Sequence, residues 1–102
     1  MLTTAARVPT VKSSRYLQAL CGHFSHKTTA EWNAEEGNVT FPFGTCQLRA
    51  EPDALLLRVE AADAEALERG KDVVARHLEK FAAKDGLKVH WQDAVPVEGA
   101  AN

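Results

Sequence analysis

The residue pattern predicts an α+β domain: an antiparallel sheet of about four to six short strands with two helices on one face, in the order strand, helix, strands, helix, strand. Three observations predict it. Apolar residues recur at helical spacing in only two stretches, one on either side of residues Thr28 to Ala61, where the period is two. Each helical stretch has a single apolar stripe, so each has one surface to cover. Strands that alternate apolar and polar residues leave one face wet and one face free to receive both helices.

The elements follow in order. Thr4, Ala6 and Val8 alternate with Thr3, Ala5 and Arg7 as a first strand, which Pro9 ends because it has no N–H to donate. Ser13 or Ser14 is the expected cap of the first helix, and Leu17, Leu20, Cys21 and Phe24 form its stripe. Lys27 completes its last turn, where the helix dipole favours a cation. Ala30, Trp32 and Ala34 share a strand face, and Glu35-Glu-Gly-Asn38 is expected to turn. Val39 and Phe41 then face inward at odd numbers, whereas Cys46, Leu48 and Ala50 do so at even numbers. That change of parity around Pro42-Phe-Gly44 predicts a turn or sharp bend between separate strands. After Glu51-Pro-Asp53, Leu55, Leu57, Val59 and Ala61 face inward.

Asp63 is the expected N-cap of the second helix, with Glu65 favourably placed in its first turn. Leu67, Val74, Leu78 and Phe81 form its stripe, and Gly86 is its expected stop. Leu87, Val89 and Trp91 alternate with Lys88, His90 and Gln92 as a last strand. Residues 3–93 are thus read as one domain and 94–102 as a flexible C-terminal tail. The order of elements resembles the TATA-binding-protein-like fold, an analogy of topology that carries no function.

Composition narrows the function classes. The net charge is −2, from 12 basic and 14 acidic residues without a basic block, so no nucleic-acid partner is expected. The longest apolar run, Ala54-Leu-Leu-Leu57, is far short of the ~20 residues that cross a bilayer, so no membrane partner is expected either. With no run of signal-peptide type, a cytoplasmic location is expected, in which Cys21 and Cys46 stay reduced.

Three stretches carry a family resemblance: Tyr16-Leu-Gln-Ala-Leu-Cys-Gly-His-Phe-Ser-His-Lys27, Phe43-Gly-Thr-Cys-Gln-Leu48, and His77-Leu-Glu-Lys-Phe81 with Val89-His-Trp91. From about Ala5 to Gln92 the chain resembles the bacterial domain-of-unknown-function family numbered 2218. Two positions depart from that pattern: Gly22 stands where a lysine is common, and Lys80 where an arginine is common. Members of the family have no established activity and resemble neighbours or fusion partners of siderophore-interacting flavoproteins. The resemblance therefore implies a link to iron–siderophore handling, with such a flavoprotein or an anionic chelate as partner.

The densest group of reactive side chains is at the end of the first helix. His23 and His26, three apart on a helix, can converge on one metal ion. Lys27 offers a charge to an anionic chelate. Tyr16 lies beside His23 on the helical wheel, and His77 of the second helix can approach His23 across the helix pair. The blander reading of each is a helix-end cation or a residue at the edge of the core. The thiols sit on two inward stripes, but their spacing matches no zinc motif. Gly70 is read as a place of close packing. No phosphate loop, nucleophile elbow or paired catalytic carboxylates occur.

The functional expectation is a non-enzymatic binding or accessory module with Tyr16, His23, His26, Lys27 and His77 at its site. The alternatives are a metal-dependent enzyme with His23 and His26 as ligands, and an interaction module that docks on a flavoprotein through its polar sheet face. The cofactor is left open at this point.

Overall fold

The computed structural model describes residues 1–96. Its elements are β1 (Leu2–Pro9), α1 (Ser13–Phe24), β2 (Thr29–Trp32), β3 (Glu36–Phe41), β4 (Gly44–Glu51), β5 (Ala54–Ala61), α2 (Ala64–Phe81), a 3-10 turn (Ala83–Asp85) and β6 (Val95–Pro96). The α+β class is as expected: six antiparallel strands in the order β2-β3-β4-β5-β1-β6, with two helices. Among the described residues no helix is long and apolar enough to cross a membrane.

The middle of the sheet is built from two hairpins with the same turn chemistry. Pro42-Phe43 and Pro52-Asp53 are two-residue turns closed by the pairs Phe41↔Gly44 and Glu51↔Ala54. In each, proline presets the φ of the first corner. The parity change at Pro42 is the first of these turns. β1 then pairs with β5 along its whole length, from Leu2↔Ala61 to Pro9↔Ala54. One core results, in which Val8, Leu17, Leu20, Cys21, Val39, Leu57, Val59, Val74 and Leu78 are all buried.

Four local expectations are corrected. The turn expected at 35–38 lies at 33–35 instead. Asn33 Oδ1 accepts hydrogen bonds from the N–H groups of Glu35 and Glu36, both at 2.8 Å, and this side-chain turn frees Gly37 and Asn38 to pair with Trp32 and Glu31. The serines do not cap α1. Ser13 Oγ donates to the Glu51 carbonyl and Ser14 Oγ to that of Ala34, so they tie the helix start to the sheet. Phe81 is 40% exposed rather than in the core, because α2 ends there and its ring lies over His23.

The fourth correction concerns the chain after α2. Leu87, Val89 and Trp91 do lie against the core, but residues 87–92 form no strand. Val89 N–H goes to Glu79 Oε2 at 3.1 Å, and only Gln92 N–H reaches a β1 carbonyl, that of Ala5 at 2.8 Å. The last strand is Val95–Pro96, paired with Leu2 and Thr3 at the start of the expected tail. The rest of that tail lies outside the described residues.

The second helix starts as expected, with Asp63 Oδ1 accepting from Ala66 N–H at 2.8 Å. Gly86, at φ 65°, closes the 3-10 turn that follows it.

Two glycines set the height of the helices. A Cβ at Gly37, in β3 beneath α1, would come 2.6 Å from Cys21 Sγ. A Cβ at Gly70, in α2, would come 2.8 Å from Val59 Cγ1 on β5. The first contact also encloses a thiol. Burial pushes Cys21 up to about 11 and Cys46 up to about 12, so both stay protonated and unbonded at neutral pH.

Gly37→Ala should destabilise the fold by about 1–3 kcal/mol through overpacking. In the Cys21→Ala background the same change should cost clearly less, which a double-mutant cycle of denaturant melts will measure. Equal costs in both backgrounds would show that the thiol is not the obstacle. Thiol reagents should label native protein slowly and denatured protein fast; fast stoichiometric labelling of the native state would contradict the burial of both cysteines.

Candidate functional site

The two helices run antiparallel where they meet: Tyr16 near the start of α1 reaches Asp85 just beyond α2, and His23 near the end of α1 reaches His77, eight residues earlier in the chain. At one end Tyr16 donates its hydroxyl proton to Asp85 Oδ2, and Lys12 Nζ lies 3.3 Å from the same carboxylate. At the other end the His23 and His77 rings face each other with centroids 4.7 Å apart. The seven-residue step from Tyr16 to His23 corresponds to about 10 Å of helix. Tyr16 therefore belongs to the closed end and does not join the histidines.

The histidine end is built from both helices and the Pro42 hairpin. Phe24, on the buried stripe of α1, holds Phe41 at 5.1 Å and His77 at 5.1 Å, each edge to face. Phe41 stacks on Phe43 at 5.1 Å. Above this aromatic floor, His23 lies between Phe24 and Phe81 with centroids at 5.6 and 5.5 Å. His77 Nδ1 lies 2.7 Å from the Val73 carbonyl. A carbonyl only accepts, so Nδ1 carries the proton and Nε2 is left free of that bond.

Helix α1 ends at Phe24, so His26 and Lys27 sit in the turn beyond it. They remain close in charge. His23 is held below the ordinary imidazole range by desolvation first, then by His77, Lys27, His26 and Lys80. All four of these groups are bases. The structure brings His23 and His77 ring to ring, leaves His26 and Lys27 on the rim, and sends Tyr16 away. Among the described residues no three His, Cys, Asp or Glu side chains converge as a metal-ligand set.

A second feature escaped residue-by-residue reading. The outer face of the sheet is hollowed by about 980 Å³, lined by Arg7, Arg49, Arg58, Asn38, Gln47 and Trp32 among others. The register places Asn38, Gln47 and Arg58 side by side on three adjacent strands. Arg7 and Arg49 flank Leu56 from either side. Alternation marked most of these positions as outward; the signal for their convergence was the strand order.

The closed end has a pH dependence. Asp85 is held below the ordinary carboxylate range, first by the Tyr16 hydroxyl and then by Lys12. A depressed carboxylate contributes stability that is present above its unfolded value and lost as pH falls through its folded value. Tyr16→Phe should raise the Asp85 pKa toward the ordinary value in an NMR titration. The stability gap between wild type and variant should narrow as Asp85 protonates; a gap that is constant with pH would show that Tyr16 acts by packing alone.

No curated protein matches this sequence. Among solved structures the chain is similar to the NMR structure of the Pseudomonas aeruginosa protein PA4090, with 34% identity, 90% of this chain and 96% of that chain covered, and a TM-score of 0.76. The family model described as an uncharacterized protein conserved in bacteria, DUF2218, matches residues 5–92. With most of the folded chain inside that match, the protein belongs to the DUF2218 family.

Proposed function

We propose that the protein is a non-enzymatic binding module for an anion, a carboxylate or an anionic metal chelate, held at the end of the helix pair. The observation that carries this reading is the charge around His23. Its ring lies 4.7 Å from that of His77, and His77, Lys27, His26 and Lys80 all lower its pKa. Such a group attracts a negative ligand, and the aromatic floor lowers the local dielectric and strengthens that attraction. The link to iron–siderophore handling that the family resemblance implies narrows the ligand to a ferric chelate.

A second reading rests on the outer hollow. Arg7, Arg49 and Arg58 around Leu56 would seat an acidic surface of a partner protein, such as the siderophore-interacting flavoprotein of the same resemblance. Each arginine already has a carboxylate neighbour, Asp53, Glu51 or Glu60, within 4 Å. That internal pairing makes this the weaker attractor of the two.

The test is a variant with alanine at His23, His26 and Lys27, titrated with citrate and with ferric citrate. All three side chains are exposed, so the fold should lose no more than about 1 kcal/mol in a melt. Binding should weaken by about tenfold or more, and wild-type binding should weaken with added salt. Unchanged binding by a folded variant would remove the helix end as the site, whereas losses confined to Arg49→Glu and Arg58→Glu would move it to the outer hollow.

A further inference from the structure

We propose that His23 and His77 together coordinate the metal of a bound anionic chelate, each through Nε2; this rests on the anion-binding reading above and names how its ligand is gripped. The pair differs from the two histidines that are adjacent in sequence, His23 and His26, because the second imidazole comes from the other helix.

The ring geometry carries the argument. A metal–nitrogen bond of about 2.1 Å, with the ring centre about 1.2 Å behind the nitrogen, puts two imidazoles on one ion about 4.7–5.4 Å apart at bond angles of about 90–110°. The observed separation is 4.7 Å, with the rings tilted by 40°. The two rings are tilted rather than stacked, and one of them has a fixed nitrogen. His77 is oriented by its Nδ1–H bond to the Val73 carbonyl at 2.7 Å, the backbone contact that commonly fixes the tautomer of a metal-ligating imidazole and leaves Nε2 free. His23 is bracketed by Phe24 and Phe81, which meet it edge to face and give it no polar partner.

Two further features select the ligand class. Two imidazoles leave the remaining coordination positions open, which suits an ion already held by a chelator with free sites. Imidazole donors suit zinc, copper, iron and nickel. Lys27 and Lys80 lie close enough to act on His23. They repel a bare divalent cation and attract a complex whose carboxylates give it net negative charge. Binding is then ligand exchange: two solvent molecules leave the metal, two imidazole nitrogens replace them, and no electron moves.

The experiment uses zinc nitrilotriacetate, an anionic complex with open coordination positions, and nitrilotriacetate alone. Binding is followed by calorimetry and by NMR of the imidazole nitrogens. One equivalent of the zinc complex should shift Nε2 of His23 and His77 together, with Nδ1 of His77 still protonated. His23→Gln and His77→Gln should each weaken binding by about tenfold or more, while His90→Gln should leave it unchanged. His23 is exposed, so the His23→Gln variant serves even where His77→Gln fails to fold, and melts of both accompany the titration. A shift at only one of the two imidazoles would overturn the pairing. Equal binding of nitrilotriacetate with and without zinc, and no nitrogen shift, would overturn coordination yet leave the anion site standing. Absence of binding by either probe would overturn both.

Discussion

The distance at which the two helices stand off the sheet governs the rest of this structure. Gly37 in β3 and Gly70 in α2 permit it, because a methyl group at either place would press within 3 Å of Cys21 Sγ or Val59 Cγ1. With the glycines, Leu17, Leu20 and Cys21 of α1 and Leu67, Val74 and Leu78 of α2 all reach full burial on one sheet face. Buried side chains of this size each contribute about 1.5–3 kcal/mol by leaving water, so the approach is the main source of stability. The same approach decides which residues of α1 meet which residues of α2.

That meeting has two different ends. Where α1 begins, the hydroxyl of Tyr16 and the ammonium of Lys12 both reach Asp85, so opposite groups satisfy one another. Where α1 ends, His23, His26, Lys27, His77 and Lys80 gather, and the other four lower the pKa of His23. The first end closes the helix pair. The second is the end on which the functional reading stands. The solved relative shares the overall fold at 34% identity.

The outer sheet face obeys another logic. Its rows of Asn38, Gln47 and Arg58, and of Arg49, Leu56 and Arg7, come from strand register alone. The arginines there are balanced locally by Asp53, Glu51 and Glu60. Exposed pairs of this kind are weak, about 0–1 kcal/mol, so they restrain the face little and hold its net charge near zero. A hollow that is balanced in this way differs in kind from the unbalanced helix end.

The local features were legible from the residues themselves. Period and parity located β1, both helices and the hairpins, and Asp63 marked the start of α2, because apolar alternation and capping depend on neighbours a few residues apart. Buried thiols, the packing role of Gly70 and the reactive group at the end of α1 were legible for the same reason. The turn at Asn33 was missed because a side-chain turn competed with a Gly-Asn pair of stronger turn propensity. Phe81 was misplaced because helical period does not say where a helix leaves the core. What tertiary structure alone decided is the partner of His23. Sequence proximity suggested His26, the helical wheel suggested Tyr16, and His77 was a third candidate across the helix pair. The antiparallel seating of α1 against α2 chose His77 instead and carried Tyr16 to Asp85. Those pairs lie more than half the chain apart, and only the packing of two helices on one sheet, at the height two glycines allow, brings them into contact.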